Sequence, residues 1–223
     1  MPAQHACLAD PAARGQLCVR PDGGGPGRVG ATELRLADGE RVFAAGDAAD
    51  GLFGIRQGAV MLAGSLADGR RQIFAFLYSG DTFGFAVDGV QSCTAITLGR
   101  TSLCRISAAS IAADRRLAAR VESALLDMRA AVWDHQVLLG RMGAVERVAA
   151  FLVRLWRRQG RPDDLHLPMT VGIVADHLGL RRETVSRSLS RLRRLGLVGS
   201  WDAYGFLPVV DAPALVKLVK GCP

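Results

Sequence analysis

An α+β chain is predicted, with an antiparallel β-roll first, a long helix next and a winged helix-turn-helix last. Three observations predict it. Across residues 32–106, short apolar runs alternate with glycine-containing turns, which is the pattern of a roll or small barrel. Across residues 121–142, apolar side chains recur alternately four and three residues apart, as in a helix that packs along one seam. Residues 170–192 read TVGIVADHLGLRRETVSRSLSRL, two short helices around a tight turn. The divisions that follow are an arm over 1–30, a roll over 31–110, a dimerisation helix over 111–142 and a winged-helix domain over 143–223.

At 223 residues and 49% apolar content, the chain can bury the cores of two modest domains. No apolar run approaches the ~18 residues of a membrane span, and Asp10 follows a short, broken apolar start without basic residues. A cytoplasmic protein with no membrane partner is expected. The net charge of +7 is unevenly spread. Residues 1–140 hold 14 Lys and Arg against 14 Asp and Glu, whereas residues 141–223 hold 14 against 7. All of the excess lies with the helix-turn-helix, as expected of a domain that binds double-stranded DNA.

Taken in order, residues 1–30 are rich in Gly, Pro and Ala and read as a flexible arm. The roll's apolar runs are Arg41-Val42-Phe43, Leu52-Phe53-Gly54-Ile55, Ala59-Val60-Met61-Leu62, the run from Gln72 to Leu77, the run from Thr94 to Leu98, and the run from Ser102 to Ile106. Turns are expected at Asp38-Gly39, Gly46-Asp47, Gln57-Gly58, Asp68-Gly69 and Gly80-Asp81. The seam of the long helix comprises Val121, Leu125, Met128, Val132, His135, Leu139 and Met142. A seam of about three heptads needs a partner, and a second copy of the chain is the economical one. His135 falls within it, either as a proton-sensitive group or as a residue that packs or reaches solvent at the interface.

A helix over 145–158 then combines apolar Val148, Phe151, Leu152 and Leu155 with a basic face of Arg147, Arg154, Arg157 and Arg158. In the helix-turn-helix, Val171 counted as the first position puts Ala175 fifth, Gly179 ninth and Val185 fifteenth. Small Ala175 lets the helices cross closely, Gly179 takes the positive φ of the turn, and Val185 packs back between them. A hairpin wing is expected from the segments 197–201 and 206–210 around Asp202-Ala203-Tyr204-Gly205, and a short helix closes the chain over 212–220.

The second helix of the pair carries the DNA chemistry. Arg187 suits a bidentate contact to guanine O6 and N7, and Glu183 can accept from a cytosine amino group. Arg182 and Ser186 share that polar face. Thr170, Arg181, Ser190, Arg191 and Arg193, with Arg194, are placed to hold phosphates. If each half of a dimer neutralises about four phosphates, affinity falls with salt at a log–log slope of roughly −7. A metal-dependent enzyme on a similar roll would need clustered His and Glu ligands. The histidines are His5, His135, His166 and His177, none of them in the roll, so no enzyme is expected.

The roll, long helix and basic winged helix together resemble the Crp–Fnr family of bacterial transcription regulators. The resemblance spans about residues 32–215. It rests on Gly39-Glu40-Arg41-Val42-Phe43, Gln57-Gly58-Ala59-Val60, Gly80-Asp81-Thr82-Phe83-Gly84-Phe85, the stretch from Glu146 to Leu152, and the stretch from Arg182 to Arg187. It implies a roll of the cyclic-nucleotide-binding type. The glutamate and arginine that hold a cyclic nucleotide in some members are here matched by Phe85 and Gln91, so cAMP is not expected. A buried phosphate without its arginine would be an unpaired charge. Gly80, Asp81, Gly84 and Phe85 instead look like the Fnr and FixK branches, which respond to oxygen or nitrogen oxides.

Fnr members hold a 4Fe–4S cluster on four thiolates. Cys104 is similar to the roll cysteine of that set, and Cys7, Cys18 and Cys93 are the candidates for the remainder. Cys7 and Cys18 depart from the Fnr spacing. The other expectation is free thiols throughout and no cofactor. An alternative is a regulator that senses haem or another small molecule in the roll. The resemblance also implies a homodimer and contact with RNA polymerase, chiefly in activation. It implies an inverted repeat with a TGA…TCA core, of the form TTGAT-N4-ATCAA. Ser186 matches the serine set against thymine in Fnr and FixK proteins. Arg182 matches the cAMP-receptor branch, which reads a second guanine, so the outer base is the open position.

Overall fold

The computed structural model describes residues 31–86 and 88–220. The arm expected over 1–30, with Cys7 and Cys18, lies outside them. The described residues fall into two compact units divided near residue 130.

In the first unit, β1 (Ala31–Leu36), β2 (Arg41–Phe43), β3 (Gly51–Ser65), β4 (Arg71–Tyr78), β5 (Thr82–Phe83) and β6 (Thr94–Ser107) make one antiparallel sheet. Its path is β1-β6-β3-β4, with β2 paired to β6 and β5 to β3. The expected short strands prove longer. The runs on either side of Gln57-Gly58 join into β3, and those on either side of Gly99 join into β6. Gln57-Gly58 is therefore a bulge and not a turn. The β3–β6 register shifts on both sides of Gln57. Gly58 there has φ +92°, and a Cβ on it would lie 2.6 Å from the Arg100 carbonyl oxygen. Glycine is required at this crossing for both reasons.

The core of this unit is aromatic. Phe43, Phe53 and Phe83 form a triangle with ring centroids 5.4–5.9 Å apart, packed with Ile55, Val60, Ala95 and Leu103. A second, smaller cluster joins Cys104 and Ile106 of β6 to Ile111 of α1 (Ala108–Ala113) and to Leu117, Val121 and Ala124 of α2 (Arg115–Arg141). Asp114 separates the two helices, and its carboxylate accepts from the Arg116 and Leu117 N–H groups to start α2.

The second unit holds the end of α2, then α3 (Ala144–Arg158), β7 (Asp164–His166), α4 (Val171–Leu178), α5 (Arg182–Arg194), β8 (Phe206–Pro208) and α6 (Ala212–Lys220). Its core is Val148, Phe151, Leu152, Leu155, Leu165, Val174, Leu178, Val185, Leu192, Leu207 and Leu215, all 3% exposed or less. The wing differs in detail from expectation. Residues 197–201 form no strand of their own, but the expected hairpin is held by Gly199 N–H on the Pro208 carbonyl, Asp202 N–H on Phe206, Val210 N–H on Leu197 and the bridge of Val198 with Val209, and β8 pairs in addition with β7. Three residues are too few to show a period in sequence, which is why β7 escaped notice. The turn at the wing's tip is as expected. The Asp202 carboxylate accepts from the Tyr204 and Phe206 N–H groups, and Gly205 takes φ +88°.

Candidate nucleic-acid interface

Each helix of the reading pair is cut to length by its own residues. The Thr170 hydroxyl accepts from the Ile173 N–H to begin α4, and Gly179 ends it at φ +61° with its N–H on the Ala175 carbonyl. Leu180 N–H also reaches that carbonyl, at 3.0 Å, which turns the chain sharply into α5. Ala175 and Val185 are 3% and 0% exposed at the crossing, as their positions predict. Ser188 and Leu192 complete the buried stripe of α5, and the Ser188 hydroxyl donates to the Thr184 carbonyl at 2.8 Å.

The opposite face of α5 is open. Arg182, Glu183, Ser186 and Arg187 are all exposed, as are Arg181, Arg191, Arg193 and Arg194, while Ser190 is half-buried. One helix thus presents a four-residue polar cluster at its N-terminal end and cations along its flank and last turn. Helix N-terminal residues are the ones that reach base edges when a recognition helix enters the major groove. Of the expected phosphate group, two members have in-chain work. Thr170 caps α4, with its hydroxyl hydrogen left to donate outward. Arg193 donates to the Ser200 hydroxyl at 3.1 Å and ties α5 to the wing.

The seam residues of α2 divide differently from expectation. Val121 packs on the β6 cluster. His135 does not face outward: its ring stacks on His177 of α4 at 4.3 Å, and Phe151 of α3 lies against His177 at 5.8 Å. Leu138 is buried, a Cβ on Gly179 would sit 3.7 Å from Leu139 Cδ2, and Met142 lies just past the helix end. Met128 is half-buried. Of the seven, only Leu125 and Val132 are exposed, and Leu126, Trp133 and Val137 join them. The open apolar stripe therefore lies about 100°, one residue, further round the helix than the heptad count placed it. Packing against the chain itself takes up the other face, and a periodicity cannot reveal which of two apolar stripes that will be.

Arg147, expected on the basic face of α3, is half-buried and turned to backbone carbonyls. Its Nε donates to the Met142 carbonyl at 2.9 Å, Nη1 to Leu178 at 3.1 Å and Nη2 to Leu139 at 2.7 Å. Beside it, burial and the Arg154 guanidinium hold the His135 imidazole below its ordinary value of 6.5. A backbone group of His177 pulls the other way, and Arg147 adds to the lowering.

The roll offers no cation where the resemblance places a phosphate-binding arginine. Gln91 is 4% exposed there, and its amide donates to the Gly84 carbonyl at 3.3 Å. Its backbone N–H donates to Asp47 and its carbonyl accepts from Gly46, so the residue is a neutral strut between loops.

Of the four candidate thiolates, only Cys93 and Cys104 lie among the described residues. Cys93 packs on the aromatic core and Cys104 on the separate α2 cluster. Cys93 is a free thiol. Among the described residues no group of three or more His, Cys, Asp or Glu is placed to hold a metal, and no helix is long and apolar enough to cross a membrane.

Known proteins match on both units. The family model of the Crp-like helix-turn-helix domain matches residues 146–218, and that of the cyclic nucleotide-binding domain matches residues 33–113. The nitrogen fixation regulation protein FixK of Rhizobium meliloti is 38% identical over 168 residues, 74% of this chain and 77% of that protein. FixK of Bradyrhizobium diazoefficiens is 35% identical over 192 residues, covering 82% and 80%. The fumarate and nitrate reduction regulatory protein of Salmonella typhi is 28% identical over 193 residues, covering 82% and 76%. The solved structure of FixK2 from Bradyrhizobium japonicum superposes with a TM-score of 0.79 at 32% identity, covering 85% of this chain and 98% of that one. The chain belongs to the Crp–Fnr family of transcription regulators, with FixK and Fnr proteins among its relatives and a DNA-binding helix-turn-helix at its C-terminal end.

Proposed function

We propose that two copies of the chain, paired along α2, bind an inverted repeat of the form TTGAT-N4-ATCAA and regulate transcription from it. The observation that carries this reading is the composition of the open face of α5. Arg182, Glu183, Ser186 and Arg187 stand together and exposed at its N-terminal end. Arg187 pairs with guanine O6 and N7, Glu183 accepts from the cytosine amino group, and Ser186 lies against thymine. Arg182 faces the outer base. Thr170, Arg181, Ser190 and Arg191 hold phosphates and fix the register.

Pairing is supported by Leu125, Leu126, Val132, Trp133 and Val137, large apolar side chains 43–58% exposed along one helix. A stripe of that kind is covered in a working assembly, and a twofold pair matches a palindrome. The relatives' names, which speak of nitrogen fixation regulation and of fumarate and nitrate reduction, support genes of low-oxygen, nitrogen-oxide or redox response as targets, and the family resemblance supports activation through RNA polymerase. The neutral Gln91 strut supports a roll that does not take cAMP. Titrating the full chain into a labelled duplex of this sequence tests the reading. Saturable binding of two chains per duplex is expected, and binding no tighter than to a scrambled duplex would refute it.

A further inference from the structure

We infer that Arg147 is a positioning residue that sets the half-site spacing the protein accepts, by locking the last turns of α2 to the reading helices. This rests on the paired, palindrome-binding reading above. The guanidinium takes three carbonyl oxygens, those of Leu139 and Met142 at the end of α2 and that of Leu178 at the end of α4. Helix C-terminal carbonyls lack intrahelical partners and carry partial negative charge, so a planar cation with several donors suits two of them at once.

The contacts around it point the same way. His135 of α2 stacks on His177 of α4, Leu138 is 3% exposed, and Leu139 lies against Gly179 at the end of α4. Glu146, next to Arg147, accepts from the Gly143 N–H at 2.7 Å and stiffens the turn between α2 and α3. The α2–α3 turn is thus braced by Glu146 and Arg147. The last turns of α2, which carry the exposed Val132, Trp133 and Val137, are tied to α4 by these contacts. If α2 pairs with its copy, the separation and twist of the two α5 helices follow from this joint. One added base pair moves a half-site by about 3.4 Å and turns it by roughly 35° around the duplex. A rigid joint accepts one spacing, and a loosened joint accepts several.

The test measures affinity for duplexes with three, four, five and six base pairs between half-sites, for the full-length wild type, R147Q and R147M. R147M keeps the aliphatic stem in case the amide variant folds poorly. The wild type is expected to prefer one spacer over its neighbours by about tenfold or more. Both variants should compress that preference to within about threefold. The penalty for replacing the guanine opposite Arg187 should stay unchanged. A loss of mere stability would weaken all spacers alike, and that outcome overturns the inference, as does an unchanged spacer preference. Hydrogen exchange without DNA gives an independent reading: amides over 138–147 should lose protection in the variants while those over 148–155 keep it. Unchanged protection over 138–147 overturns the joint whatever the DNA result. Failure of the wild type to prefer any palindrome would overturn the palindrome reading, and the spacing role with it.

Discussion

His135 of α2 and His177 of α4 stack with ring centroids 4.3 Å apart and planes 19° from parallel. The pair sits among Phe151 of α3, Arg147 and Arg154, so a proton added to His135 enters a half-buried site already facing two guanidiniums. Because its pKa is lowered on folding, the unfolded chain binds more protons below its ordinary value of 6.5. Stability from this group is fully present above that value and is lost as pH falls through it. Denaturant unfolding of the full chain between pH 8 and pH 5 should show the decline. His135→Phe, which keeps a ring and removes the titration, should flatten it, and an equal slope in the variant would exclude His135 as a source.

The exposed stripe of α2 predicts which substitutions separate the two copies. Leu126→Glu with Val137→Glu places carboxylates at exposed positions of the proposed interface, at a cost of several kcal/mol on pairing. Sedimentation velocity should show the wild type as a dimer and the double variant as a monomer at micromolar concentration. A dimeric double variant would return the interface to the heptad count read from sequence.

Gly58 predicts a backbone effect. Alanine there must adopt φ +92° and press its Cβ against the Arg100 carbonyl. Gly58→Ala should destabilise the roll by about 2–3 kcal/mol. Thermal unfolding followed by calorimetry reads the change directly, and a shift within error would mean the bulge can relax.

What could be read without the structure follows the range of the interaction. The helix-turn-helix was legible because its requirements are local: a small residue at Ala175, a left-handed turn at Gly179 and an apolar return at Val185 all lie within fifteen residues. The Glu183, Ser186 and Arg187 face followed from the same count. Gly58 was read as a turn because a glycine at positive φ serves a turn and a bulge equally well. The partner strand decides between them, and it lies about forty residues away. The exposed apolar stripe of α2 lies one residue round from the heptad seam for a related reason. His135 and Leu139 are apolar-face residues in both accounts, but α3 and α4 claim them. Arg147 looks like any solvated arginine until the ends of α2 and α4 are brought to it.

Salt dependence gives a further expectation. With about four phosphates held by each half of a dimer, the logarithm of affinity should fall against the logarithm of salt with a slope of roughly −7. Arg191→Ala should make the slope shallower by about 2, one phosphate in each half, without altering base preference. A slope near zero would mean that the excess of positive charge lies away from the DNA.

The most direct measurement compares wild type and Arg187→Ala on the TTGAT-N4-ATCAA duplex and on the same duplex with both inner G·C pairs replaced by A·T. The account predicts that the wild type loses affinity on the replaced duplex. The variant should bind the original duplex more weakly by ~1–3 kcal/mol per half-site and distinguish the two duplexes less than the wild type does, the remainder being read by Glu183 at the cytosine of the same pair. Equal affinity of both proteins for both duplexes would contradict it, because the α5 face would then not be reading those bases.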